Sequence, residues 1–101
     1  MNNSYIAGIT DTEFRIIKNI LSNFNNKYDF FAYGSRVKGT FSNLSDLDIL
    51  IKGNNDTILH DIAELKHLFD GSDLPYIVNI ADYNQIQNSF YNLIKDDLVK
   101  I

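Results

Sequence analysis

The segment Leu47–Lys52 (LDILIK) constrains the fold of this chain more than any other stretch. Successive side chains of a β-strand point to opposite faces, so Leu47, Ile49 and Ile51 share one face. That face is wholly apolar and can enter a hydrophobic core, and a Gly-Asn-Asn turn follows it at Gly53. The pattern predicts a strand with one buried face and an acidic residue at the start of the other.

Helical patterns lie on both sides of this strand. The first opens with a capping box at Thr10 and Glu13, and the second is an amphipathic pattern with a Gly-Ser-Asp turn after it. Apolar residues recur in each at helical spacing. The predicted helices run from Thr10 to about Phe24, from Asp56 to about Phe69, and from near Gln87 or Asn88 through Phe90, Ile94 and Leu98.

Two more segments have the composition of strands, Tyr28–Tyr33 (YDFFAY) and Tyr76–Asp82 (YIVNIAD). After the first of them, Ser35 is predicted to cap a short helix that Gly39 ends. Strands that alternate with helices predict a small α/β (α+β) domain with a mixed β-sheet flanked by helices. At 101 residues, the chain is expected to form one domain over residues 1–101.

The composition excludes several classes of protein. A net charge of −4 argues against holding nucleic acid by neutralising its phosphates, although it suits a basic protein partner. The absence of cysteine excludes disulfides and thiolate zinc sites. No apolar run approaches the roughly 18 residues of a membrane span, and the N-terminus lacks the blocks of a signal peptide. We expect a cytoplasmic protein that binds neither membrane nor nucleic acid.

Asp46 and Asp48 form the first candidate site. Their side chains share one face of the predicted strand, about 6–7 Å apart at ~3.3 Å per residue. Two neighbouring carboxylates repel each other unless a cation neutralises them, and hard oxygen ligands suit Mg²⁺. Two solvated acids at the start of an ordinary strand are the alternative.

Gly34 and Ser35 form the second candidate, between a strand and a short helix. The glycine lets backbone approach a ligand closely, and the following helix points N–H groups towards an anion. Ser35 adds a hydroxyl, and Arg36 and Lys38 add positive charge. A plain turn is the alternative, and the sequence lacks the Walker A spacing of a P-loop.

Together, Gly34-Ser35, ten intervening residues and Asp46-x-Asp48 resemble the signature of the polymerase-beta-type nucleotidyltransferases. The fuller pattern, GSRVKG with Ser45 before Asp46, is similar to their minimal stand-alone subfamily, the MNT proteins. The resemblance implies transfer of AMP from ATP to an acceptor hydroxyl, with a two-ion Mg²⁺ site held by Asp46 and Asp48. It implies nucleotide contacts by five residues: Gly34, Ser35, Arg36, Lys38 and Ser45.

The same resemblance implies a protein partner. MNT proteins are often antitoxins of HEPN-type toxins, which they modify with AMP at a tyrosine. Catalytic antitoxin is thus the first hypothesis; a binding-only antitoxin that occludes its partner is the second. Modification of a small molecule such as an aminoglycoside is a weaker third, because that chemistry usually needs an added domain. The acceptor residue, the preferred nucleotide and the oligomeric state are left open by the sequence.

Asn79 departs from the family pattern, which has a third catalytic acid at this position. An amide can offer one neutral oxygen to a metal, but it brings no charge and cannot act as a base. Natural loss of catalysis, a tolerated variant and an engineered change would all explain it. We predict nucleotide binding with impaired transfer. Asp82 is expected at the strand end, facing the other way, in a structural role.

Three other features are interpreted as structural. His60, Glu64 and His67 share a helical stripe that could suggest zinc, but it lies opposite the apolar face and is expected to be solvated. Tyr33 is expected to pack in or beside the core, with base stacking as the alternative. Asp96-Asp97 is interpreted as a solvated acidic tail.

Overall fold

The computed structural model describes residues 6–39, 42, 45–53 and 59–101. Its three longer helices are α1 (Asp11–Leu21), α3 (Leu59–Asp70) and α4 (Asn88–Ile94), and α2 (Ser35–Lys38) is a single turn. Short 3₁₀ segments, Ser22–Phe24 and Lys95–Asp97, extend α1 and α4. The strands are β1 (Tyr28–Tyr33), β2 (Leu47–Gly53), β3 (Val78–Asp82) and β4 (Val99–Lys100). No helix among these residues is long and apolar enough to cross a membrane.

The strands form one mixed sheet in the order β3-β2-β1-β4. β1 pairs antiparallel with both β2 and β4, whereas β2 and β3 are parallel. The parallel pair is joined through α3, because parallel neighbours need a crossover connection. The predicted mixed sheet flanked by helices is confirmed.

The core lies on one face of the sheet, beneath α1 and α3. Leu47, Ile49 and Ile51 of β2 are fully buried there, as their alternation predicts. They pack with Ile17 and Leu21 of α1 and with Leu65 and Phe69 of α3. Each such side chain contributes roughly 1.5–3 kcal/mol by leaving water, so this face supplies most of the hydrophobic stabilisation.

The other face of the sheet is covered in part by α4. Phe90 of this helix makes an edge-to-face ring contact with Tyr33, and Tyr91 makes one with Tyr83. Ile94 is buried, while Leu93 is 73% exposed. The helix therefore packs against the sheet through one side, while Asp46, just before β2, is exposed.

Several predicted boundaries need correction. The N-cap residue of α2 is Gly34, and no side-chain hydrogen bond caps the helix there. Ser35 is therefore the first residue of the helix and not its cap. Gly39 does end that helix, in a left-handed conformation with φ 84°. The third strand begins at Val78, two residues later than predicted. The predicted start of the second long helix, Asp56–Ile58, lies outside the described residues.

The C-terminal prediction is wrong in one respect. Leu98 is extended and not helical, and the next two residues form β4, which pairs with Phe31 and Ala32 of β1. A two-residue strand is too short for a periodic pattern to indicate. The pairing with β1 decides its conformation.

Candidate functional site

Three side chains lie in a row across the partly open face of the sheet. Tyr33 of β1 is the register partner of Asp48, and Asp48 is the partner of Asn79. Asp46 stands just before β2, at the same edge. The topology thus brings the residues predicted from distant parts of the chain to one place.

The Asn79 amide joins the two carboxylates. Its Nδ2 donates to Asp46 Oδ2 at 2.9 Å and to Asp48 Oδ1 at 3.1 Å. Asp46 and Asp48 therefore do face the same side, as strand periodicity predicts. The amide N–H groups stabilise two neighbouring negative charges without neutralising them.

Asp48 has a raised pKa. Burial is the main cause, the Asn79 hydrogen bond opposes it, and the charge of Asp46 adds to the rise. Because the folded-state pKa lies above the ordinary value of 3.8, ionising Asp48 destabilises the fold. The stability of the folded chain therefore falls as the pH rises from the ordinary carboxyl pKa to the raised pKa of folded Asp48. A cation beside the carboxylate would reverse that effect.

We expect the change Asp48→Asn to raise the melting temperature by a few degrees at neutral pH without divalent metal, because a neutral amide replaces a partly buried charge. Thermal unfolding followed by circular dichroism measures the difference. It should shrink as the pH falls through the raised pKa of Asp48, because the Asp48 carboxyl of the unaltered chain then takes up its proton. The exposed Asp73→Asn is the matched control, and an equal effect in both variants would contradict a specific role of the Asp48 environment.

Gly34 lies against Asp48 and requires glycine for two reasons. Its φ of +88° disfavours other residues, and a Cβ at this position would come within 2.5 Å of Asp48 Oδ2. Gly34, of the predicted phosphate-binding pair, and the Asp48 carboxylate therefore lie in close contact. The two motifs that stand ten residues apart in the sequence, Gly34-Ser35 and Asp46-x-Asp48, thus meet where Gly34 lies against Asp48.

The change Gly34→Ala should weaken Mg²⁺-nucleotide binding by about tenfold or more, because the new methyl group displaces a candidate metal ligand. Gly39→Ala is an informative control: its φ of +84° imposes similar backbone strain, but nothing lies within 4 Å of the added Cβ. Titration calorimetry with a non-hydrolysable ATP analogue measures both. Equal losses in the two variants would show that strain alone, and not the contact with Asp48, is responsible.

Arg36 is placed differently from its predicted role. It is 1% exposed, and its guanidinium donates from Nε and Nη2 to the Ser45 carbonyl at 3.1 and 3.0 Å. Nη1 donates to the carbonyls of Ala7 and Gly8 at 3.1 and 3.3 Å. The group therefore ties the N-terminal backbone to the residue before Asp46, and it does not lie open to an incoming phosphate.

The other predicted nucleotide contacts lie nearer the surface. Lys38 Nζ is 3.7 Å from Asp97 Oδ2, so one acid of the expected solvated tail pairs with it. The Ser45 hydroxyl accepts from the Ser42 backbone N–H at 2.7 Å. Ser35 begins α2, next to Gly34. Of this set, Gly34 lies directly against a carboxylate, that of Asp48.

Tyr76 is a residue that sequence reasoning missed. The Arg36 guanidinium lies 4.2 Å from the centroid of its ring, and its hydroxyl donates to Glu13 Oε1 at 3.2 Å. Burial, together with the nearby Glu13 carboxylate, raises the Tyr76 pKa. Glu13 also completes the capping box of α1, so this chain of contacts ties α1 to the site. No local pattern indicates such a contact, since its members are far apart in sequence.

The residues that the sequence analysis interpreted as structural lie where that interpretation places them. Asp82 ends β3, is buried on the face opposite to Asn79, and accepts from the Asn84 backbone N–H at 2.8 Å. Tyr33 is half-buried against Phe90, with ring centroids 5.8 Å apart. The side chains of His60, Glu64 and His67 are exposed.

The donor set at the site suits a hard cation. Two carboxylates and a carboxamide converge, and all three carry oxygen atoms of the kind Mg²⁺ prefers. The amide now presents N–H groups to the carboxylates, and a half-turn would present its oxygen instead. Within the described part of the chain, no three His, Cys, Asp or Glu residues converge in this way. The set thus fits Mg²⁺, with one negative charge fewer than three acids provide.

Comparisons with known proteins decide the family. A model of the nucleotidyltransferase domain matches residues 14–101. The chain belongs to the nucleotidyltransferase domain family. This membership confirms the resemblance to minimal nucleotidyltransferases.

Among the relatives of this nucleotidyltransferase is the Probable protein adenylyltransferase MntA of Haemophilus influenzae, 36% identical over 92% of the chain and 82% of the relative. A solved toxin–antitoxin with AMP-PNP has a TM-score of 0.69 at 20% identity, over 85% of this chain and 69% of that one. A mutant MntA–HpeT toxin–antitoxin scores 0.68 at 19% identity, over 86% and 69%. Both structures confirm the fold of a small nucleotidyltransferase.

Proposed function

We propose that this nucleotidyltransferase transfers AMP from ATP to a hydroxyl group of a toxin protein, for which it is the antitoxin. The observation that carries the proposal is the contact of Gly34 with Asp48, beside Asp46 and Asn79, in a chain of this family. Its likeness to a probable protein adenylyltransferase supports a protein as acceptor. The toxin–antitoxin neighbours support a toxin, and we propose one of the HEPN type.

In the proposed reaction, the acceptor oxygen attacks the α-phosphorus of ATP. A new phosphorus–oxygen bond forms, the bond to the β-phosphate oxygen breaks, and pyrophosphate leaves while the hydroxyl proton passes to solvent. Gly34 and Ser35 would contact the phosphates, and Asp46 and Asp48 would hold Mg²⁺. Mg²⁺ bound there would supply charge stabilisation for the transferring phosphoryl group. Asn79 keeps the two carboxylates together but takes no proton.

One observation favours a second candidate function. The Asn79 amide bridges both carboxylates at the position of the family's third acid, so the site lacks one negative charge for metal binding. A binding-only antitoxin would neutralise its toxin through complex formation alone. A net charge of −4 would suit a basic partner in either case. A cytoplasmic location stays a prediction from the sequence.

The test is incubation of the chain with its toxin, ATP and Mg²⁺, followed by intact mass measurement. The gain of one or more AMP units on the toxin is expected for the transferase, and Asp46→Asn should abolish it. Neutralised toxin without a gain in mass would instead support the binding-only function. A gain that persists in Asp46→Asn would refute the proposed site.

A further inference from the structure

Asp46, a candidate metal ligand, stands just before β2 and is exposed, yet the backbone on both sides of it is held. On one side, the Ser45 carbonyl accepts hydrogen bonds from Arg36 Nε and Nη2 at 3.1 and 3.0 Å. On the other side, the Leu47 N–H donates to the Ile77 carbonyl at 2.9 Å. These two contacts fix the point from which the Asp46 carboxylate extends.

Tyr76 adjoins both of these contacts. The Arg36 guanidinium lies over the Tyr76 ring, 4.2 Å from its centroid, and Ile77 is the next residue of the chain. A guanidinium over an aromatic face is confined there, because moving away loses the attraction between the cation and the ring. Burial strengthens this attraction, and Arg36 is 1% exposed. The ring therefore keeps the guanidinium N–H groups directed at the Ser45 carbonyl.

The Tyr76 side chain is itself held at its hydroxyl. The hydroxyl donates to Glu13 Oε1 at 3.2 Å, and the same oxygen accepts from the Thr10 N–H at 3.2 Å in the capping box of α1. Burial and the Glu13 charge raise the Tyr76 pKa, so the hydroxyl keeps its proton and remains a donor at neutral pH. The start of α1 thus fixes one end of a side chain whose ring supports Arg36.

We propose that Tyr76 is a positioning residue for Asp46. Its ring holds the Arg36 guanidinium against the Ser45 carbonyl, and this keeps the Asp46 carboxylate where Mg²⁺ would bind. The inference rests on the proposed function, which it deepens by assigning a residue that acts on the metal site without touching the ion. A ligand that is in place before the ion arrives binds it more tightly, because binding then orders less of the chain.

Three variants separate positioning from packing. Tyr76→Leu removes the ring that lies against Arg36, whereas Tyr76→Phe keeps the ring and removes only the hydroxyl. Phe24→Leu is the matched control, because it shortens a buried aromatic side chain of the same core. Phe24 lies ahead of the start of β1, and the site lies beyond the end of that strand.

Hydrogen exchange of the ¹⁵N-labelled chain without metal tests the position of the backbone. The Leu47 N–H lies at one end of the β2–β3 pair, and the Tyr83 N–H, which donates to the Ile51 carbonyl at 2.9 Å, lies at the other. Tyr76→Leu should speed exchange at Leu47 about tenfold more than at Tyr83, because the disturbance is local. Phe24→Leu should speed both alike through global unfolding. Equal acceleration at Leu47 and Tyr83 in Tyr76→Leu would overturn the proposal.

Metal binding gives the second readout. Mn²⁺ alone substitutes for Mg²⁺, and electron paramagnetic resonance measures the free ion at a temperature where circular dichroism shows every variant folded. Tyr76→Leu should weaken Mn²⁺ binding about tenfold, the low end of what is lost with a group that orients a metal ligand. Tyr76→Phe and Phe24→Leu should both stay within about twofold of the unaltered chain. A tenfold loss in either of them would contradict a role of the ring.

The two readouts keep this inference apart from the proposed function. If the unaltered chain binds Mn²⁺ and Tyr76→Leu binds it equally well, the inference is overturned and the transferase stands. If the unaltered chain does not bind Mn²⁺, the transferase fails, and the exchange ratio by itself decides whether Tyr76 positions Asp46. Tyr76→Met, which also lacks a ring but fills more of its space, replaces Tyr76→Leu if that variant does not fold.

Discussion

The change Asn79→Asp is expected to increase the rate of AMP transfer by about 100-fold, because it restores a negative charge among the groups that would hold the metal ions. Labelled ATP and the toxin provide the assay, with Mg²⁺ varied at fixed ATP. The variant should also reach half its maximal rate at a lower Mg²⁺ concentration. Equal rates for both forms would show that the third acid is not what limits this chain.

The melting temperature of the Asn79→Asp variant should depend on Mg²⁺ more strongly than that of the unaltered chain. The amide N–H groups that now bridge Asp46 and Asp48 would be replaced by a third carboxylate, so repulsion should lower the melting temperature without metal. Mg²⁺ should recover this loss through binding to the folded state. Asn19→Asp adds the same charge on an exposed part of α1, and its melting temperature should not depend on Mg²⁺.

The change Arg36→Met is expected to lower the free energy of unfolding by about 3 kcal/mol, because it removes the buried donors that satisfy three backbone carbonyls. Domains of this size have only about 5–15 kcal/mol in total, so part of the population could unfold. Urea denaturation measures the difference.

Lys38→Met is the matched control for this prediction. Lys38 lies two residues further along α2, is exposed, and forms an ion pair with Asp97. Such pairs contribute about 0–1 kcal/mol. If Arg36→Met costs no more than Lys38→Met, the buried guanidinium does not hold the site together.

The strands and helices follow from local patterns where one face is buried. β1 agrees with its predicted limits and β2 extends one residue further, because alternating apolar residues have only one orientation that reaches the core. The capping box at Thr10 is present with both of its hydrogen bonds. Where pairing with a distant strand decides the conformation, as in β4, no local pattern predicts it.

The candidate site was predictable in its residue types and in part of its geometry. Residue spacing places Asp46 and Asp48 on one face, and the family resemblance brings Gly34-Ser35 and Asn79 beside them. Arg36 shows the limit of this reasoning. An arginine next to a phosphate corner suggests an anion ligand, whereas in the described part of the chain its guanidinium donates to carbonyls of residues 7, 8 and 45. Burial depends on segments that are remote in sequence.

The sequence by itself determined the family, the strands that carry the acids and the absence of a third acid at Asn79. Those properties depend on residue type and on spacing along one element. Only the tertiary structure decided that the Asn79 amide bridges both carboxylates, that Arg36 is buried, and that its guanidinium lies over the Tyr76 ring. Each of these depends on the packing of elements far apart in the chain, because hydrogen bonds and burial are set by neighbours in space.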